Sequence, residues 1–256
     1  KKSGEERLCI DYRKLNAITK KDSFTLPRIE DVLDLLQGQK LFSTLDLASG
    51  YWQIEMDEQS KEKTAFIVDN NFVLGKSCLV YLDDIIVFSK KIEEYVLQLR
   101  EIFGLLERAN LKLKLSKCKF LQEKVNYLGH IISTEGVAPD PTKIEAIANY
   151  KRPCTVRELQ SFLGLASYYR RFIEKFSTIA HPLLVQSKGQ PKDEIKWGLE
   201  EEKAFEALRK SLITEPVLSY PDFGKEFIIF TDASDHGLCA VLSQEIDGKD
   251  KPIAYA

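Results

Sequence analysis

What the chain lacks narrows the field first. Its 256 residues hold five cysteines, Cys9, Cys78, Cys118, Cys154 and Cys239, with no two set as a Cys-x-x-Cys pair. That scatter argues against a structural zinc and against a disulfide framework, and it fits a reducing, intracellular setting. No apolar run is long enough to span a bilayer and no signal peptide is legible, so no membrane partner is expected. There is no surplus of positive charge either: 37 Lys and Arg stand against 39 Asp and Glu, a net charge of −2. A phosphate-binding surface would therefore be local, built from placed cations. The chain opens on Lys1-Lys2-Ser3 without an initiator Met and stops in a strand-like run, Pro252 to Ala256. It reads as a piece of something longer.

A hydrophobic content of 44% is enough for a real core, one large domain plus a smaller one. The most informative stretch runs from Cys78 to Phe88, where two apolar, β-prone runs flank Asp83 and Asp84. The pattern is a tight hairpin with its acids at the bend. Hairpin bends usually use Asn-Gly, Asp-Gly or Gly-X; Leu82-Asp83-Asp84-Ile85 has no glycine and crowds two like charges. A hard divalent cation such as magnesium would offset that repulsion. By itself the bend is equally well an acidic surface turn. A second strand, Leu41 to Leu45, also ends on a carboxylate, Asp46. Two strands bringing acids to one end of a sheet suit a two-metal site for phosphoryl transfer.

Phe42-Ser43-Thr44-Leu45-Asp46-Leu47-Ala48-Ser49-Gly50-Tyr51 and Cys78-Leu79-Val80-Tyr81-Leu82-Asp83-Asp84-Ile85 resemble the first and third palm motifs of reverse transcriptases of the gypsy type. The resemblance covers nearly the whole chain. It implies an α+β right-hand polymerase followed by a truncated ribonuclease H-like α/β domain, cut from a retrotransposon pol polyprotein. The implied layout is fingers and palm over 1–138, thumb over 139–190, a connection over 191–225, and the start of the ribonuclease H-like fold over 226–256.

The resemblance also assigns roles. Asp46 and Asp83 would ligate two Mg2+ ions, with Mn2+ as the alternative, helped by the Leu47 carbonyl and with Asp84 beside them. Arg7 and Lys2 would grip the triphosphate and Tyr51 would gate the sugar; Glu6 stands where the family usually has an aromatic. Lys117 would protonate the leaving pyrophosphate, with Lys119 as its rival. Tyr127-Leu128-Gly129-His130 resembles the turn that grips the primer end, so Tyr127 and Gly129 join the nucleic-acid contacts. Asp232, delivered by the apolar strand from Phe227, would be the first metal ligand of the ribonuclease H-like site, whose later acids would lie beyond Ala256. The partners would be an RNA or DNA template with a DNA primer, and deoxynucleoside triphosphates. The setting would be the cytoplasm, with a virus-like particle or the nucleus also open.

Pattern places other elements. Arg7 to Asn16 alternates as a strand, and Leu111 to Leu115 alternates as a basic-faced strand. Pro27, Ile29, Val32, Leu33, Leu36 and Gly38 mark a short helix with a stop signal. Ile92, Val96, Leu99, Phe103 and Leu106 form a helical stripe, and Trp197 to Leu212 a helix with Phe205, Leu208 and Leu212 inward. Asp140-Pro141 and Arg152-Pro153 punctuate a linker. Thr155-x-x-Glu158 is a capping box opening one long helix that runs to Phe176. Arg157, Gln160, Gly164, Tyr168, Arg171 and Lys175 fall on its polar face. Gly164 costs about 1 kcal/mol inside a helix, so glycine beside an amide, an aromatic and cations suggests close approach to a nucleic-acid groove.

One segment is missing. The family carries a second palm motif between the strand at Thr64-Ala65-Phe66 and the acidic hairpin; here the chain passes from Val68 through Asn70-Asn71 to Lys76 and straight into the hairpin. The expectation is a polymerase relative with impaired catalysis. Its rival is a non-catalytic nucleic-acid-binding remnant. An unrelated metal-dependent hydrolase would account for Asp46 and Asp232 but not for the combination of motifs.

Overall fold

The structure, a computed structural model, describes residues 13–18, 28–48, 53, 78–81, 84–213, 217–234 and 237–256. Its centre is a four-stranded antiparallel sheet in the order β2-β3-β1-β4, made of β1 (Leu41–Asp46), β2 (Cys78–Tyr81), β3 (Asp84–Ser89) and β4 (Lys119–Gln122). Both faces of this sheet are covered. Phe42, Leu79, Ile86 and Phe88 enter the main core, while Leu45, Cys78, Ile85 and Val87 enter a second cluster with Ile102 and Leu106. A strand buried on both faces reads as a continuous apolar run, which is why Ile85-Ile86-Val87-Phe88 has no polar alternation.

Two helices precede the sheet among the described residues. In α1 (Arg13–Ile18), Arg13 to Asn16 are helical rather than extended as their alternation predicts. The expected helix over Ile29 to Leu36 is α2 (Ile29–Asp34), which buries Val32, Leu33 and Leu36 and stops at Gly38 with φ 66°.

After the hairpin, α3 (Ile92–Arg108) lies against β3 by only part of its predicted stripe, with Leu99 and Leu106 packed inward. Tyr95, Ile102 and Leu106 face inward, and Ile92, Val96 and Phe103 are exposed. The cause is Tyr95, whose hydroxyl is hydrogen-bonded to the buried Ser43 Oγ and accepts from the Leu121 N–H at 3.0 Å. That anchor turns the helix away from the face its aliphatic residues suggest. Leu111 to Leu115 forms no strand; Leu113 makes one isolated bridge to Leu47, and Leu115–Lys117 is a 3-10 turn.

A small sheet follows: β5 (Lys124–Tyr127), β6 (His130–Ser133) and β7 (Val137–Pro139). The expected linker at Asp140-Pro141 is instead the start of α4 (Pro141–Ala148). Asp140 caps it by accepting from the Thr142 N–H at 2.9 Å, and Pro141 occupies the first turn, where no N–H is needed. The predicted thumb helix breaks in two, α5 (Val156–Tyr168) and α6 (Phe176–Gln186), across a 3-10 turn at Arg170–Phe172. His181 to Leu184 lie inside α6. Half of the capping box forms: Thr155 Oγ1 accepts from Glu158 N–H at 3.4 Å, while Glu158 Oε2 accepts from the N–H of Cys154, one residue before the cap, at 2.7 Å.

Then α7 (Leu199–Ile213) buries Phe205, Leu208 and Leu212 as expected, with Phe205 4.7 Å from the Phe162 ring of α5. Strands β8 (Ile228–Ser234), β9 (Gly237–Ile246) and β10 (Lys249–Tyr255) make an antiparallel sheet in the order β10-β9-β8. No described helix is long and apolar enough to cross a membrane.

Candidate active site

The register of the central sheet sets the site. β1 pairs with β3 so that Leu45 faces Ile85 and Asp46 faces Asp84, while β2 pairs with β3 so that Tyr81 faces Asp84. Two residues therefore separate the paired ends of the hairpin, as the acidic bend predicts. Directly opposed side chains hold their Cβ atoms about 4.5–5.5 Å apart, and like charges so placed repel. Leu82 and Asp83 lie outside the described residues, as do Arg7, Lys2 and Tyr51. Among the described residues, no three acids, histidines or cysteines gather.

A cation already answers the repulsion. Lys117 Nζ lies 3.0 Å from Oδ1 and 2.8 Å from Oδ2 of Asp46. The backbone around it is tied to β1: the Lys114 N–H donates to the Asp46 carbonyl at 2.8 Å, and the Asp46 N–H donates to Cys118 Sγ at 3.4 Å. Next to Asp46, Leu47 bridges to Leu113 and the Ala48 N–H donates to the Lys112 carbonyl.

Asp46, Asp84 and Lys117 share a groove of about 290 Å³ with Lys119, Tyr127, Leu128 and Gly129. The motif thought to grip a primer end thus lies in the same groove as the paired acids. Its turn is unusual. Tyr127 pairs with His130, and both intervening residues have positive φ, 48° at Leu128 and 71° at Gly129. Two positive φ values are what a two-residue type I′ turn demands, and for leucine that backbone is strained.

The C-terminal end of α5 holds the strained turn. Tyr168 Oη donates to the Leu128 carbonyl at 2.7 Å, Tyr169 Oη donates to the Gly129 carbonyl at 2.8 Å, and His130 Nδ1 lies 2.8 Å from the Leu128 carbonyl. Rings of Tyr168, Tyr169 and Phe172 surround the imidazole at centroid distances of 5.5–5.7 Å. Burial lowers the His130 pKa to about 4, with Arg171 adding to the effect and the Leu128 carbonyl and Asp140 opposing it. His130 is therefore the neutral tautomer with its proton on Nδ1, donated to Leu128. Sequence reading found the turn and missed the tyrosine pair that fixes it, because those partners lie 40 residues away.

The polar helix face expected from the sequence is there in part. Gln160, Gly164 and Tyr168 are exposed along α5, and nothing lies within 4 Å of a Cβ built at Gly164. Arg171 does not belong with them. It lies beyond the helix end, is buried, and points inward to Asp34 Oδ1 at 3.6 Å and to the Ile253 carbonyl at 3.3 Å. Lys175 is not on that face either. It precedes α6 with φ 56° and pairs with Asp232 Oδ2 at 2.9 Å, and that ion pair holds the Asp232 carboxyl below its usual range.

The family model for reverse transcriptase (RNA-dependent DNA polymerase) matches residues 1–79 and 70–132, two overlapping pieces that span over half the chain. The chain belongs to the reverse transcriptase family. A second family model, the RNase H-like domain found in reverse transcriptase, matches residues 197–256. Among curated relatives, the retrovirus-related Pol polyprotein from transposon 297 of Drosophila melanogaster is 42% identical over 94% of this chain and 25% of its own length. That from transposon opus of the same organism is 36% identical over 100% of this chain and 29% of its own. This reverse transcriptase chain thus spans only a quarter to a third of these two relatives. The opus alignment runs over 293 positions against the 256 residues here, so the relative carries positions with no counterpart in this chain.

Among solved structures, the foamy viral protease-reverse transcriptase dRH in complex with ds DNA superimposes with a TM-score of 0.81 at 26% identity, covering 98% of this chain and 48% of that one. The foamy viral protease-reverse transcriptase in complex with RNA/DNA hybrid gives 0.79 at 27%, covering 98% and 37%. The right-hand polymerase fold and the ribonuclease H-like sheet expected from the motifs are therefore present. Reverse transcriptases as a family depend on divalent metal ions.

Proposed function

We propose that this chain is the palm and thumb of a template-directed DNA polymerase with the opening strands of a ribonuclease H-like domain. The observation that carries this reading is the register that sets Asp46 opposite Asp84 in the groove lined by the Tyr127–Gly129 turn. The donor set fits Mg2+, with Mn2+ as substitute. The carboxylates are hard oxygen donors at one sheet end, and the cation now on Asp46 shows that its charge is matched from outside the sheet. Asp46, Asp83 and the Leu47 carbonyl would hold the two ions, which when bound supply Lewis-acid activation of a primer 3′-OH and neutralise a leaving pyrophosphate.

The remaining residues bind and orient. Leu128 and Gly129 present a rigid turn to the primer end, held from the thumb by Tyr168 and Tyr169. Gln160, Gly164 and Tyr168 offer an exposed track for a template–primer duplex, and with Arg171 buried the exposed Arg157 of α5 is the cation left to it from the expected face. Arg7, Lys2 and Tyr51 keep their assigned roles toward the triphosphate. Asp232 is assigned as the first acid of the ribonuclease H-like site. The layout of 1–138, 139–190, 191–225 and 226–256 belongs to the same reading, as does an intracellular setting.

The alignment that is longer than the chain, and the family match in two pieces meeting at 70–79, support a second element of the reading: the segment carrying the second palm motif is absent. The chain as written then binds nucleic acid and polymerises poorly. Anisotropy of a labelled RNA–DNA hybrid tests the binding half. Affinity should fall steeply as salt rises, because each phosphate contact releases counterions. Affinity that is absent at low salt, or indifferent to salt, contradicts it.

A further inference from the structure

Lys117 closes a 3-10 turn whose neighbours on both sides, Lys114 and Cys118, are hydrogen-bonded to the main chain of Asp46. The turn therefore delivers its ammonium to the side chain of the very residue that anchors it. Nζ spans both carboxylate oxygens, at 3.0 and 2.8 Å. A divalent ion at Asp46 would compete with the ammonium for these same two oxygens, and the two positive charges would repel each other there. The pair is also weak enough to exchange. Its side chains are 46% and 35% exposed, and ion pairs in that setting are worth little.

We propose that Lys117 is the resident counter-ion of Asp46 in the metal-free site, and that divalent-metal binding displaces it into the groove. The inference rests on the reading of Asp46 as a metal ligand. In the metal-free state the ammonium relieves the repulsion between Asp46 and Asp84, so the sheet end is stable before loading. On loading, Asp46 exchanges one cation for another, and Lys117 gains freedom to meet the phosphate chain of a nucleotide in the same groove. Metal loading and the arming of a proton donor become one event. Lys119 supplies an internal comparison: it lines the same groove from β4, where it is paired opposite Thr44.

The test is lysine acylation of the intact chain, mapped to individual residues by mass spectrometry, with Mg2+ binding followed in parallel by calorimetry. Lys117 should react slowly without metal and about twofold to fivefold faster at saturating Mg2+, the range an exposed ion pair supports. Lys119 should not change. In Asp46→Asn, Lys117 should react fast from the start and ignore Mg2+. In Lys117→Met, Mg2+ should bind about twofold to fivefold more tightly, with no such gain in Lys119→Met. Mg2+ binding that leaves Lys117 reactivity unchanged overturns the exchange while the metal site stands. No Mg2+ binding to the parent chain overturns both.

Discussion

At the scale of single residues, two buried polar side chains carry more of the architecture than their sequence context suggests. His130 is neutral in the fold, its pKa lowered by burial from near 6.5 to about 4. The unfolded chain therefore binds a proton that the folded chain refuses between those values. Stability from this group is fully present above about pH 6.5 and is lost as pH falls toward 4, by on the order of 2–3 kcal/mol at the bottom of the window. Thermal melts from pH 7.5 to 4.5 should show this loss, and His130→Gln should flatten the profile over that range. Arg171 is the second case. It bridges α2 and β10 from the turn between α5 and α6, so Arg171→Ala should destabilise the fold by about 2–4 kcal/mol in urea titrations. A change with no stability loss and a large loss of hybrid affinity would return Arg171 to the nucleic-acid surface.

At the scale of elements, what could be read ahead of the structure is what is written locally. The acidic hairpin, β1, α2, the Thr155 cap of α5 and the three ribonuclease H-like strands follow from periods of two and 3.6 residues and from their flanking stop signals. What escaped depends on distant partners. The rotation of α3 is set by Tyr95 reaching Ser43, 52 residues away, and no helical wheel contains that contact. The break after Tyr168 redirects Arg171 and Lys175 to other elements, so a polar face extrapolated along one helix came out half right. Asp140 reads as linker punctuation in sequence because Asp-Pro marks turns and helix starts alike. On α5 the surviving track makes a two-sided prediction. Gly164 faces open space, so Gly164→Ala should raise stability by about 0.5–1 kcal/mol through helix propensity. If the helix lies against a duplex, the same methyl should weaken hybrid binding severalfold. Unchanged affinity would remove Gly164 from the interface.

At the scale of the whole molecule, the polymerase part and the ribonuclease H-like sheet interlock. Arg171 reaches the Ile253 carbonyl, Lys175 pairs with Asp232, and Ser177 Oγ donates to the Leu238 carbonyl at 3.3 Å. Gly237 admits that approach, since a Cβ there would stand 3.0 Å from Ser177 Oγ. Unfolding should therefore be a single transition by calorimetry and by far-ultraviolet dichroism together; two separated transitions would show independent units. On the proposed reading, the paired acids belong to a polymerase site from which a segment of the nucleotide pocket is missing. Catalysis of this kind rests on positioning, and small misplacements cost about a hundredfold. The direct measurement is primer extension on poly(rA)–oligo(dT), comparing the chain as written with a version carrying the relatives' segment after Asn70. The expected result is little or no product from the first, with extension by the second that Asp83→Asn abolishes. Robust, Asp83-dependent extension by the chain as written would contradict it.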